Sequence, residues 1–170
     1  MKRLSCVIKG DPVSREYIER EIHKYRLVEN GIKIPEEIIE YYIKQNNIYT
    51  YHRVIRSNKK EYYISYFEKI ISNNDDESII GSINFFRSHH FCGKYKMIVF
   101  NQSAGGDIFY ASYGGEDYGK IYFLAMHDGE DVEPVLLANS FGEFIDALEV
   151  DPEDMDLLMA LPEDKRGDLP

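Results

Sequence analysis

Lys96-Met-Ile-Val-Phe100, Asp107-Ile-Phe-Tyr-Ala-Ser-Tyr113 and Lys120-Ile-Tyr-Phe-Leu-Ala-Met-His127 are the stretches that decide the fold. Each is short and rich in β-branched and aromatic residues, as strands are. Gly105-Gly106 and Gly114-Gly115 stand between them. Glycine enters positive φ freely, so these pairs mark tight turns and not crossover helices. Short turns between successive strands predict antiparallel pairing.

Upstream, residues 49–57 and 61–67 alternate with period two around Asn58-Lys59-Lys60, which reads as a hairpin. Two helices precede it. Asp11-Pro12 resembles a cap followed by proline at the first helical position, with Ile18, Ile22, Tyr25 and Val28 or Leu27 at helical spacing over residues 12–29. Ile34-Pro35-Glu36-Glu37 starts the second, whose apolar stripe is Ile38, Ile39, Tyr42 and Ile43. A third helix is expected to open at Asp75-Asp76-Glu77 and to bury Ile79, Ile83 and Phe86. Ser140-Phe-Gly-Glu143 is a capping box, and Phe141, Phe144, Ile145 and Leu148 give the helix behind it an apolar face. The pattern predicts an α+β fold: a central antiparallel sheet of about five to six strands, with helices packed on one face. Two of these helices are N-terminal and one is C-terminal.

The chain has 170 residues, so a single domain over residues 1–150 is expected, with an acidic extension over 151–170. That extension carries Leu157, Leu158 and Leu161, and either docks as a short helix or frays. Fourteen Tyr and nine Phe, without Trp, supply half-buried contact surfaces, because a tyrosine ring buries area while its hydroxyl stays wet. The N-terminus lacks an apolar run long enough for a signal peptide, and no stretch approaches the ~20 apolar residues of a membrane span. A cytoplasmic location is the expectation.

Net charge is −10, unevenly placed. Residues 1–127 hold 16 acidic and 18 basic residues; residues 128–170 hold 14 and 2. An end this acidic repels phosphates, which argues against nucleic acid and suits a basic partner. A solvated face that only aids solubility is the plainer alternative.

No convergent catalytic or metal-binding set stands out. Cys6 and Cys92 lack metal-site or disulfide spacing, and adjacent His89 and His90 point apart on any regular backbone. Cys92 beside His90 lacks a third group to orient the pair. Gly105-Gly106-Asp107 precedes a strand, so no helix N-terminus aims at a phosphate there. No cofactor is expected. His127-Asp128-Gly129-Glu130-Asp131 either places a titratable histidine among carboxylates for a partner to meet, or is a plain acidic loop.

Four segments, in order, resemble the SUKH superfamily, known also from a yeast cell-wall-assembly regulator. They are Asn30–Asn46, with its Gly-x-x-x-Pro turn into a helix, Ile98–Phe109, Asp117–His127 and Leu137–Ile145. The resemblance covers about residues 14–149. It implies an α+β fold with a central antiparallel sheet. It also implies a bacterial immunity protein that neutralises a toxin domain, often a basic nuclease or deaminase, without catalysis of its own. The contacts expected with such a toxin are Tyr113, Glu116, Asp117, His127, Asp128, Glu130 and Asp131. A scaffold or regulatory module that binds some other protein is the alternative.

Overall fold

A computed structural model describes residues 1–4, 8–9, 12–46, 48–72, 78–88, 92–103, 106–126 and 132–167. In chain order the strands are β1 (Ile8–Lys9), β2 (Ile48–Ser57), β3 (Lys60–Phe67), β4 (Met97–Gln102), β5 (Ile108–Ser112), β6 (Ile121–Leu124), β7 (Val135–Ala138) and β8 (Glu149–Val150). The helices are α1 (Arg15–Lys24), α2 (Glu36–Lys44), α3 (Ile79–Ser88), α4 (Phe141–Ala147), α5 (Met155–Ala160) and α6 (Glu163–Arg166). The chain is α+β and every strand pair is antiparallel.

The strands form two four-stranded sheets instead of one sheet of five to six. β1, β2 and β3 lie in order in the first, and β8 also pairs with β2; β4, β5, β6 and β7 form the second. The sheets are joined where Glu68 N–H donates to the Phe100 carbonyl at 2.8 Å and Asn101 Nδ2 donates to the Tyr66 carbonyl at 3.0 Å. β1 and β8 lie on β2, at Ile48–Tyr49 and at Arg53–Val54 respectively.

The turn at Asn58-Lys59 is tighter than the sequence suggests, because Lys60 already belongs to β3. Both turn residues take positive φ, +51° and +63°, the backbone of a two-residue hairpin that follows the right-handed strand twist.

α1 begins three residues later than expected. Ser14 caps it by accepting Tyr17 N–H at 3.2 Å, and Asp11 lies outside the described residues. It also ends earlier, at Lys24, because Arg26 adopts a left-handed φ of +53°. That break folds Leu27 fully into the core and leaves Val28 73% exposed. Of the stripe expected in α2, Ile38, Ile39 and Tyr42 are buried and Ile43 is half-buried, with Tyr41 added to them. The acidic triplet 75–77 lies outside the described residues; Ser78 accepts Gly81 N–H at 3.1 Å at the start of α3.

One large apolar cluster joins the N-terminal helices, α4 and the inner faces of both sheets. Its aromatic centre is Tyr41, Phe67, Phe100, Phe141 and Phe144; the Phe100 and Phe141 rings meet edge to face at 5.4 Å. Ser140 caps α4 as expected: Glu143 N–H donates to Ser140 Oγ at 3.2 Å, while the Glu143 carboxylate reaches one residue past the cap to accept Asn139 N–H at 3.0 Å.

Helices do not keep to one face. A second cluster covers the outer face of β4–β6, built from Phe86 of α3 with Met97, Val99, Ile108, Tyr110 and Leu124. Period two explains the split: Ile98, Phe109 and Ala111 point to the large core, while Met97, Val99, Ile108 and Tyr110 point to the small one.

The C-terminal segment docks. Leu158 of α5 is fully buried, while Leu157 and Met159 stay exposed. Arg166 donates to the Leu161 carbonyl at 2.8 Å. Among the described residues no helix is long and apolar enough to cross a membrane.

Candidate functional site

The connection from β5 to β6 is a closed loop. Ser112 N–H donates to the Lys120 carbonyl at 3.0 Å and Gly119 N–H to the Ser112 carbonyl at 2.8 Å, with Gly119 at a φ of +82°. Between them residues Gly115–Asp117 make one short 3-10 turn. Tyr113 N–H is held by the Lys96 carbonyl at 2.9 Å, and Lys96 itself sits at a φ of +52°. A non-glycine residue in this region stores backbone strain, a feature that clusters at working sites. The Lys96 stem lies over Gly114 so closely that a Cβ there would fall 2.3 Å from its Cδ, so a side chain at 114 would push the flexible lysine aside.

Beside this loop opens a cleft of about 520 Å³. Tyr95, Tyr110 and Tyr122 supply its aromatic lining, Glu116, Asp117 and Glu133 its carboxylates, and Lys94 and Lys96 its cations, with Lys96 beside Gly114. Tyr110 and Tyr122 are direct cross-strand partners in β5 and β6, their rings stacked at 5.5 Å and 19°. Tyr95 donates its hydroxyl to the Val132 carbonyl at 3.1 Å, which ties the cleft floor to the approach of β7.

The electrostatics of the cleft are graded. Lys120 pairs with Asp117 at 2.7 Å, and that bond, with a second from the Tyr122 hydroxyl, holds the Asp117 carboxyl below the usual carboxylate range. Burial raises the Tyr122 hydroxyl, and the bond to Asp117 raises it further. Tyr110 is pushed far above an ordinary phenol, first by burial, then by Tyr122, Tyr95, Asp117 and Glu133. Glu116 and Glu133 form no ion pair among the described residues.

Of the residues expected at a partner contact, Glu116 and Asp117 both line this cleft. Tyr113 is half-buried, with its ring against the large core, and burial raises its hydroxyl. His127, Asp128, Glu130 and Asp131 lie outside the described residues, as does His90. Tyr110, Tyr122 and Glu133 also line the cleft, beyond the residues expected from the sequence. The signal for the first two lay in the antiparallel register about the Gly-rich turn, which sets position 110 opposite 122.

No group of three or more His, Cys, Asp or Glu arranged to hold a metal occurs among the described residues. The SMI1 / KNR4 family model (SUKH-1) matches residues 16–147. The chain belongs to that family. No curated protein matches the chain significantly, and no solved structure does. The SUKH-1 match runs from α1 through α4, so it takes in β2 to β7 and the whole cleft, and leaves β1, β8, α5 and α6 outside it.

Proposed function

We propose that this chain is a cytoplasmic immunity protein, without catalytic activity, that binds a basic bacterial toxin domain of nuclease or deaminase type and holds it inactive. Membership of the SUKH-1 family supports the reading at its coarsest. The observation that carries the finer part is the exposed Glu116 beside a tyrosine-lined cleft, in a chain whose last 43 residues hold 14 acidic and 2 basic residues. Tyrosines offer rigid area at low entropic cost, and unpaired carboxylates accept charge-assisted bonds from Lys or Arg. A field of one sign speeds the encounter with a basic active site and orients it.

In this reading Tyr113, Glu116 and Asp117 act with the loop His127, Asp128, Glu130 and Asp131, and residues 1–150 form one domain with an acidic extension at 151–170. Neither nucleic acid nor a membrane is the partner. The test is co-expression with the toxin encoded in the adjacent gene. Protection of the cells, with a complex that weakens as salt rises, is the expected result. Equal killing with and without this protein would sink the reading.

A further inference from the structure

Tyr110 is 2% exposed and lines the cleft, yet its hydroxyl makes no hydrogen bond among the described residues. The ring is packed away and the hydroxyl lines the cleft, where a group that arrives can reach it. The charged groups that bear on it are the Asp117 and Glu133 carboxylates. Ionised carboxylates can only accept hydrogen bonds, and a phenol can accept as well as donate. What the floor of the cleft lacks is therefore a donor-rich cation.

We propose that the cleft is a receptor for one arginine side chain of the partner, its guanidinium set between Glu133, Glu116 and the Tyr110 hydroxyl. The acceptors come from three separate places in the chain: strand β5, the turn at Gly115–Asp117 and the approach to β7. A planar fork of five N–H donors reaches such a spread, whereas an ammonium is a single point. The partly exposed Tyr122 ring gives the guanidinium a face to lie against. Asp117 is already engaged by Lys120 and Tyr122, so it shapes the site without being its main acceptor. Lys96 stands beside Gly114 and repels the arginine toward the carboxylate side. With its proton held firmly, Tyr110 stays neutral and presents lone pairs to the incoming donors.

The inference rests on the proposed function for the source of the arginine, but it is tested without the toxin. The full chain, with ring-labelled tyrosine, is titrated by NMR with acetyl-Gly-Arg-Gly-amide and with its lysine and glutamate counterparts. The arginine peptide is expected to shift the Tyr110 and Tyr122 ring signals, and the glutamate peptide to leave them in place. Glu133→Gln and Tyr110→Phe are each expected to weaken the arginine peptide by about fivefold or more. Glu133 is an exposed residue, so Glu133→Gln keeps the test intact should Tyr110→Phe fail to fold. Unshifted rings, equal shifts with the glutamate peptide, or unchanged affinity in Glu133→Gln would each overturn the proposal. Cells protected from toxin by a chain that ignores the arginine peptide would overturn this inference alone. Arginine binding without protection would uphold it and remove the immunity reading.

Discussion

The Glu37 carboxylate of α2 accepts the backbone N–H of Gly142, in the first turn of α4, at 2.8 Å. The first N–H groups of a helix have no partner within it, and the helix dipole favours negative charge there. A side chain 105 positions earlier in the chain supplies both. Glu37→Ala should lower stability by about 1 kcal/mol, the usual cost of losing a cap. Urea denaturation checks it: the midpoint should fall with the slope unchanged. Glu36→Ala, which removes only an exposed ion pair with Arg15, should cost less than about 0.5 kcal/mol.

The hairpin turn carries two non-glycine residues at positive φ, where a side chain is strained. Lys59→Gly relieves that strain but frees the unfolded chain, and the first effect is the larger. A gain of about 0.5 kcal/mol is expected, with a matching rise in melting temperature; Lys59→Val should do the opposite.

Acid should act partly through Asp117. Its folded pKa is lowered by the bond to Lys120 and then by the Tyr122 hydroxyl. A lowered carboxylate pKa means stabilisation that is complete above the unfolded value near ~4 and lost as pH falls through the folded value. The stability difference between the native chain and Asp117→Asn should therefore be greatest near neutral pH and close in acid. Denaturation series across that range measure it, and a difference that persisted in strong acid would contradict the assignment.

Charge reversal at the cleft tests recognition. Glu116→Lys with Glu133→Lys should slow association with the cognate toxin by about tenfold at low salt. The two association rates should converge at high salt, where screening removes steering. Stopped-flow kinetics at several ionic strengths would measure it.

Features with a strong local period were legible in the sequence. The stripe of Ile38, Ile39 and Tyr42 and the cap at Ser140 needed only neighbours three or four residues away. What escaped depends on partners far along the chain. β1 and β8 are two residues each, too short to show a period, and exist because β2 offers them an edge. β7 carries Leu136, 42% exposed, so apolar residues on both faces hide its alternation. The early end of α1 turns on one left-handed residue, Arg26, a type that carries no turn signal. In the cleft, Glu116 and Asp117 are among the contacts expected from the sequence. Tyr110, Tyr122 and Glu133 join them only once the sheet register is known.

β2 is ten residues long, and a strand of that length with open N–H and C=O groups is a template on which a foreign strand can grow. Two dipeptides, Ile8–Lys9 and Glu149–Val150, lie on it at separate points like a pair of clasps. Each is only two residues long, yet they interrupt the run of free backbone groups that stacking of like chains requires. Removing either dipeptide would be felt less in the melting temperature than in the concentration at which the protein begins to clump.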